Sequence, residues 1–290
     1  MKRLLQLLSI VLSIVFINSC KEPDPATVYG WDDPNDFSGP RMIKKVLANN
    51  QTVEEYAPNL GKLFKVNRTT YDGTAIKEYQ NIYLFYLGSK ITKIEVNGYI
   101  TTDNITGTAV LIPNYDATGR MVSLMNDFYV GSTHKKHSIT VFNYDTSGKV
   151  INAYQKTASV NPATPNVYVY PDITNDIITY NGNNLEKVET TKMVVNTSSG
   201  IIQSSETVAR EYSKFDSKIN PYTTIPDNYI VSVSTLFTDM YAYLSENNPG
   251  KYIYTNATNV STETLYTNKY DTHNFIINNG FRNFYYQPAP

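Results

Sequence analysis

The sequence has 290 residues, 41% of them hydrophobic, and its 25 Lys and Arg against 26 Asp and Glu leave a formal net charge of -1. That balance excludes the basic surface by which proteins bind nucleic acid, and equally a polybasic membrane patch. The length suffices to bury a substantial core in one or two domains, and the single cysteine excludes an internal disulfide. The 25 tyrosines favour half-buried strands, so the body is expected to be mostly β.

The first 19 residues are predicted to be a lipoprotein signal peptide. A short positive region, Met1 to Arg3, precedes an apolar run from Leu4 to Ile17. A membrane-spanning helix needs about 20 apolar residues, so this run is too short to remain as one. No later run reaches that length, and the remaining chain is expected to be soluble.

Residues 17–20, Ile-Asn-Ser-Cys, resemble the lipobox of bacterial lipoproteins, although asparagine is less usual than alanine or serine at position 18. The resemblance implies lipidation of Cys20 and attachment to a membrane through that lipid, whereas the alternative is a buried or free thiol. Residues 21–24, Lys-Glu-Pro-Asp, resemble the export tag that places many Bacteroidetes lipoproteins on the outer face of the outer membrane. The other interpretation of these four residues is a solvated tether. The expected location is the cell envelope, as an outer-membrane lipoprotein, with surface exposure left open.

Residues 20–40 are predicted to be the lipidated cysteine and a flexible linker, because prolines and aspartates dominate them and cannot bury a core. The folded domain is expected to cover residues 41–290. Within the linker, Asp32, Asp33, Asn35 and Asp36 offer oxygen ligands for Ca²⁺. They lack the glycine and terminal glutamate of an EF-hand loop, which favours an acidic tether over a calcium site.

One motif recurs through the body at a spacing of about 30 residues, which indicates a repeated supersecondary unit. Each copy has a tyrosine, a short turn that often contains Gly and a basic residue, and then two apolar residues three positions apart. The tyrosines are Tyr56, Tyr86, Tyr115, Tyr144, Tyr180 and Tyr270, and a weaker copy starts at Tyr212.

The core of the motif, Tyr-Asp-x-x-Gly-Lys, predicts a hairpin in which Asp accepts turn amides and Gly takes a positive φ. Successive hairpins predict an all-β fold with minor α: an antiparallel β-meander that forms a large twisted or curved sheet. The three-residue spacing after each turn, as in Ile91 and Ile94, does not fit strict alternation and predicts a β-bulge.

One segment departs from the strand pattern. Between Asp227 and Ser245 the apolar residues recur every three or four positions, which predicts a helix packed on the sheet in the C-terminal third. Asp227 is the expected N-cap, and Asn-Asn-Pro-Gly at 247–250 the stop. A buried strand from Ile230 to Val233 is the alternative, because that stretch is β-branched.

The recurrent hairpin motif resembles the YD-type repeats of many Bacteroidetes lipoproteins, the DUF4595-like group. Further similarity lies in Asn-Pro-Tyr at 220–222, Leu-Ser-Glu-Asn-Asn-Pro at 244–249 and the closing Tyr270-Asp271. The resemblance covers most of residues 42–286 and departs from the pattern at His273 and Asn274, where Gly is expected. It implies a fold and a location in the cell envelope. It implies no catalytic residue, because the group has no assigned activity.

No nucleotide-binding glycine loop, HExxH pair, GxSxG elbow or CxxC motif occurs, so no catalytic residue and no cofactor is predicted. His134 and His137 lie three residues apart in a stretch that resembles a loop entering a strand, and a solvated loop is favoured over a metal site. The tyrosines are expected to be mainly structural, although rings on an exposed face would stack on sugars or peptides.

Three functions are compatible with these observations, and whether the protein is an enzyme stays open. The first is a non-catalytic binding module for a glycan, a peptide or an envelope partner. The second is a structural or lipid-carrying envelope protein. The third, disfavoured by the missing motifs, is a polysaccharide hydrolase with two acidic residues.

Overall fold

Alternating apolar and polar residues place most of the body in strands, and a computed structural model shows seventeen of them in one sheet within the residues that it describes. The structure describes residues 39–100 and 105–289. The predicted signal peptide, Cys20 and the candidate calcium ligands at 32–36 lie outside the described residues. The strands are β1 (Arg41–Ala48), β2 (Gln51–Asn59), β3 (Lys62–Asp72), β4 (Ala75–Leu87), β5 (Lys90–Ile100), β6 (Ile105–Tyr115), β7 (Met121–Val130), β8 (Thr133–Tyr144), β9 (Val150–Ser159), β10 (Asp172–Asn181), β11 (Asn184–Val195), β12 (Ile202–Ser213), β13 (Lys251–Thr255), β14 (Ser261–Leu265), β15 (Lys269–Tyr270), β16 (Ile276–Asn278) and β17 (Arg282–Pro288).

The sheet is the predicted antiparallel meander. From β1 to β14 each strand pairs with the next in sequence. At the other end β15 pairs with β16 and β16 with β17, and β17 then pairs with β1. The C-terminal strand therefore lies beside the N-terminal one, and the expected all-β fold with minor α is confirmed.

The connection between β12 and β13 carries the helical part of the fold. It contains the α-helix α1 (Asp227–Ser234) and two 3₁₀ helices, Pro221–Thr224 and Thr238–Leu244. We call residues 221–244 the helical segment. The face of the sheet that contacts it is the inner face, and the opposite face is the outer face.

Strands that are distant in the sheet contact the same helical segment. Tyr243 donates a hydrogen bond of 2.6 Å to Glu54 on β2, and Tyr241 donates one of 3.2 Å to Asp176 on β10. The side chain of Ser232 lies 3.4 Å from the sulfur of Met121 on β7. The sheet must therefore curve around the segment, as a strongly twisted antiparallel meander does.

The single predicted helix over 227–245 is wrong in its extent. The α-helix ends at Ser234 and a 3₁₀ helix begins at Thr238, and Asp227 is the first helical residue while Pro226 occupies the N-cap position. Hydroxyls of Ser232, Ser234 and Thr235 each bond to backbone carbonyls three or four residues earlier, at 2.7 Å. Such bonds compete with the helical ladder and favour its end. The alternative strand at 230–233 is wrong as well, because those residues lie in α1.

The predicted bulges are confirmed. In the β4–β5 hairpin Phe85 pairs with Lys93 and Tyr86 with Ile91, which leaves Thr92 as the extra residue. Ile91 and Ile94 are both buried as a result. The same shift occurs beside the turns of the β2–β3, β6–β7, β8–β9 and β10–β11 hairpins.

The turns have the predicted chemistry. In the turn after β8 the Oδ1 atom of Asp145 accepts the amides of Ser147 and Lys149, each at 2.9 Å. Gly148 has a φ of 88°, a conformation that costs glycine little because it lacks a Cβ atom. These hydrogen bonds, above all that from the Lys149 amide, lower the pKa of the Asp145 carboxyl.

The repeated tyrosines join consecutive hairpins. The hydroxyls of Tyr86, Tyr115 and Tyr144 donate to the carbonyls of Leu63, Ile91 and Met121, at 2.8, 2.9 and 2.6 Å. The basic residue of each turn also lies over the tyrosine ring of the next hairpin, at 5.0 to 5.5 Å from its centroid. The four such pairs are Lys62 with Tyr86, Lys90 with Tyr115, Arg120 with Tyr144, and Lys149 with Tyr180.

Both halves of the motif thus have a structural use. The tyrosine supplies a hydrogen bond and a ring, and the basic residue supplies a cation–π contact to the neighbouring unit. These repeat tyrosines belong to the framework of the sheet, as the sequence predicted for most of them.

Candidate functional site

The principal candidate is a cavity at the C-terminal end of the sheet, which we call the aromatic pocket. Its volume is about 410 Å³, within the range of small-ligand sites. Its lining includes two pairs of contacting aromatic side chains, Tyr212 with Tyr252 and Tyr266 with Phe281. Its polar lining includes Asp239, Asn248, Asn268 and Arg282.

The first aromatic wall comes from the pairing of β12 with β13. Tyr212 lies opposite Tyr252 in the register of these strands, so the two side chains share a face. Their rings stack with centroids 5.2 Å apart and planes 29° apart. Tyr212 is buried and Tyr252 half-buried, so that Tyr252 presents its ring to the cavity.

The second wall comes from the residues that follow β14 and precede β17. Tyr266 and Phe281 meet edge to face, with ring centroids 5.9 Å apart and planes at 89°. Burial raises the pKa of the phenols of Tyr252 and Tyr266. Both hydroxyls therefore stay protonated at neutral pH and can donate hydrogen bonds.

Asparagine amides hold the polar side of the pocket. The side-chain nitrogen of Asn268 donates to the carbonyl of Pro249 at 3.2 Å, while that of Asn248 donates to the carbonyl of Ile219 at 3.2 Å. The Oδ1 atom of Asn268 is buried and has no hydrogen-bond partner among the described residues. A buried acceptor without a partner costs free energy.

The floor of the pocket is a set of tyrosines around one carboxylate. Tyr222 and Tyr243 stack with centroids 3.4 Å apart, and both donate to Glu54, at 2.9 and 2.6 Å. Tyr56 donates to the same carboxylate at 2.8 Å, and Arg282 does so at 3.4 Å. Burial, followed by the nearby Glu54, raises the pKa of Tyr56, Tyr222 and Tyr243. The floor is therefore a rigid set of protonated phenols.

The pocket does not support the hydrolase hypothesis. Glycoside hydrolysis generally uses two carboxyl groups that flank the scissile bond. Asp239 is the one carboxylate in the lining of the aromatic pocket, while Glu54 beneath it already accepts three tyrosine hydroxyls.

A second cavity of about 430 Å³ lies on the inner face of β7 to β12. Its lining is mixed, with polar residues such as Asn126 and Lys192 beside apolar ones such as Phe128 and Leu236.

His134 and His137 lie in β8 and not in a solvated loop, which corrects that prediction. Both rings converge on Asp127 of β7: its Oδ1 atom lies 3.0 Å from Nε2 of His134 and 2.7 Å from Nδ1 of His137. Nε2 of His134 also lies 2.9 Å from the carbonyl oxygen of Lys136. The three potential ligand atoms all lie within 4.8 Å of one another. We call Asp127, His134 and His137 the histidine cluster.

No helix in the described ranges has the length and apolar character that a membrane span requires.

Comparison with solved structures finds several matches, which include two porin-like proteins. One is a porin-like protein from Bacteroides vulgatus, with 12% identity and a TM-score of 0.44 over 86% of this chain and 99% of that one. The other is a porin-like protein from Bacteroides uniformis, with 13% identity and a TM-score of 0.44 over 88% and 99%. These scores are too low to carry a conclusion about this chain. Neither a family model nor a curated protein matches, so the resemblance to YD-type repeat lipoproteins stays a prediction.

Proposed function

We propose that the protein is a membrane-anchored, non-catalytic module of the bacterial envelope that binds a carbohydrate in the aromatic pocket. The observation that carries the proposal is the presence of two aromatic pairs in the lining of one cavity that also contains asparagine side chains. Tyrosine and phenylalanine rings offer apolar faces with few rotatable bonds, on which the C–H face of a sugar ring packs. Its hydroxyl groups would bond to exposed polar side chains of the lining, among them Arg282.

A carbohydrate fits this lining better than a lipid or a charged peptide does. The asparagines supply neutral donors and acceptors. The two charged residues of the lining are each paired with a residue outside it, Asp239 with Arg68 and Arg282 with Glu54. Sugar hydroxyls both donate and accept, so they match such a mixed lining. A peptide ligand is the alternative outcome of the experiment below.

The test is isothermal titration calorimetry of the purified protein with a panel of oligosaccharides from plant cell walls, host glycans and bacterial envelopes. At least one member is expected to bind at or below millimolar concentration. Tyr252→Ala and Tyr266→Ala should each weaken that binding by about tenfold, the loss expected for one aromatic contact. Tyr266→Phe keeps the ring and should weaken it far less.

Tyr79→Ala is the matched control. Tyr79 is half exposed and lies on the outer face of β4, outside the aromatic pocket. Its loss should leave the affinity unchanged. If no oligosaccharide binds, or if all three alanine variants weaken binding equally, the proposal is wrong. A peptide that binds in place of sugars would identify the other ligand class. Binding of neither would favour a scaffolding role.

The membrane anchor is supported by the Ser-Cys ending of the apolar N-terminal run. Cys20→Ser should move the protein from the membrane fraction to the soluble fraction of cells, because the sulfur that carries the lipid is lost. Retention of this variant on membranes would contradict the anchor without affecting the proposed pocket.

A further inference from the structure

The histidine cluster brings two of the three histidines of the chain to one carboxylate. In a regular strand, residues three apart point to opposite faces of the sheet. A register shift in the β7–β8 pair removes this obstacle: Phe128 pairs with Lys136 and Tyr129 with His134, which leaves Lys135 as the extra residue. The bulge turns His134 to the side of His137, and both rings lie above Asp127 on the outer face.

Aromatic side chains fix both imidazoles. The ring of His134 stacks on Tyr129, with centroids 4.8 Å apart and planes 22° apart. The ring of His137 stacks on Tyr168, with centroids 4.0 Å apart and planes 16° apart. Tyr168 belongs to the connection between β9 and β10, which folds back over this part of the sheet. The positions of the ligating nitrogens are thus held by contacts that do not depend on a bound ion.

We propose that Asp127, His134 and His137 form a binding site for a divalent transition-metal ion. Two imidazole nitrogens and a carboxylate oxygen are a donor set that suits Zn²⁺, Ni²⁺, Cu²⁺ and Fe²⁺, whereas Ca²⁺ and Mg²⁺ prefer oxygen ligands alone. The ion would take the place of the close contacts that now join one nitrogen of each imidazole to Oδ1 of Asp127.

The distances are compatible with one ion. Zinc is bound at about 2.0 to 2.2 Å from nitrogen and oxygen ligands, so two ligand atoms of one ion lie at most about 4.4 Å apart. The present separations of 2.7 and 3.0 Å, with all three atoms within 4.8 Å, require small side-chain rotations only. Three protein ligands leave at least one coordination position for water or for an external ligand.

The side chains differ in burial, which decides the choice of variants. His137 is buried, with 8% of its side chain exposed, whereas 20% of His134 and 19% of Asp127 are exposed. Replacement of His137 therefore risks the fold of the strand pair. His134→Ala and Asp127→Asn are the primary variants, and circular dichroism with a thermal melt shows whether each one folds.

The experiment is titration of the untagged full chain with ZnCl₂ by isothermal calorimetry, with equilibrium dialysis and elemental analysis for stoichiometry. One tightly bound Zn²⁺ per chain is expected. His134→Ala and Asp127→Asn should each weaken it by more than about 100-fold, since second-shell changes alone cost 10- to 100-fold. His273→Ala removes the third histidine, which is exposed and far along the chain, and should change nothing.

Two results would overturn the site. One is the absence of stoichiometric Zn²⁺, Ni²⁺ or Cu²⁺ binding to the folded wild-type chain. The other is wild-type affinity in folded His134→Ala and Asp127→Asn, which would locate the metal elsewhere, for example at the aspartates of the predicted linker. Sugar binding in the aromatic pocket is measured separately, so failure of either proposal leaves the other intact.

Discussion

Replacement of Asp176 by asparagine should stabilise the protein at neutral pH and have little effect in acid. Asp176 lies on the inner face of β10, with 3% of its surface exposed. Its Oδ2 atom accepts a hydrogen bond of 3.2 Å from Tyr241. Burial raises the pKa of this carboxyl from its ordinary value of 3.8 to about 6, in spite of the hydrogen bonds and nearby positive charges that lower it.

The direction of the pH dependence follows from how tightly the folded and unfolded states bind the proton of Asp176. Between about pH 4 and about pH 6 the folded protein holds this proton more tightly than the unfolded chain does, so the free energy of unfolding falls as the pH rises. Below that window both states are protonated and the effect is absent. Above that window the carboxyl is charged in both states, and the folded state bears the full cost of burying the charge. The difference of about 2 between the two pKa values corresponds to about 3 kcal/mol. Asparagine carries no charge and retains an oxygen that accepts from Tyr241, so Asp176→Asn should recover up to that amount.

The assay is urea-induced unfolding followed by far-ultraviolet circular dichroism, with wild type and Asp176→Asn at about pH 3.5 and about pH 7.5. Other carboxyl groups contribute equally to both proteins and cancel in the difference. The difference in unfolding free energy should be near zero in acid and approach about 3 kcal/mol at neutral pH. A difference that does not change with pH, or that favours wild type at neutral pH, would refute the inferred cost of the buried charge.

Three further predictions concern the framework. Asp116→Asn should have the opposite pH dependence, because hydrogen bonds from the Thr118 side chain and nearby amides lower the pKa of this turn carboxyl to about 2. In the same urea assay the variant should lose stability relative to wild type as the pH rises from about 2 to about 5. Tyr144→Phe removes the hydroxyl that donates to the Met121 carbonyl at 2.6 Å while it keeps the ring, and should cost about 1 kcal/mol by urea unfolding. Gly98→Ala should destabilise the sheet strongly, measured as a lower melting temperature, because an added Cβ would lie 2.1 Å from the carbonyl oxygen of Tyr79.

A second glycine variant separates steric overlap from backbone strain. Gly98 and Gly148 both have positive φ angles, but a Cβ atom at Gly148 meets nothing within 4 Å. Gly148→Ala therefore measures backbone strain alone, and equal losses at the two positions would contradict the steric explanation. For the turn carboxyl, equal unfolding free energies of Asp116→Asn and wild type at all pH values would show that its hydrogen bonds contribute nothing.

The hairpins and their turns could largely be predicted from the sequence, because the residues that determine them are close together in the chain. The Tyr-Asp-x-x-Gly-Lys motif specifies both the turn and the residues that flank it, and Asp145 and Gly148 take the roles that their chemistry predicts. The paired apolar residues, such as Ile91 and Ile94, likewise required a bulge in any strand interpretation. The helical segment was less predictable, since the hydroxyl-to-backbone bonds that end α1 at Ser234 are not visible in apolar periodicity.

The aromatic pocket and the histidine cluster could not be predicted from the sequence, because both depend on contacts between residues distant in the chain. The aromatic pocket joins Tyr212 at the end of β12 to Phe281 before β17, and the clustering of tyrosines between 252 and 270 was the available signal. The histidine cluster required knowledge of the register between β7 and β8. Two histidines three residues apart fit a helix or a bulged strand equally well, and without pairing partners the sequence could not identify Asp127 as the third member.

The contacts between successive hairpins bear on how such a chain changes in length during evolution. Each unit contributes a tyrosine toward the preceding unit and a cation toward the following one, as Arg120 and Tyr144 illustrate. A duplicated or deleted unit therefore meets compatible surfaces on both sides without any compensating substitution. Selection can in this way alter the number of strands in the sheet by gain or loss of whole hairpins.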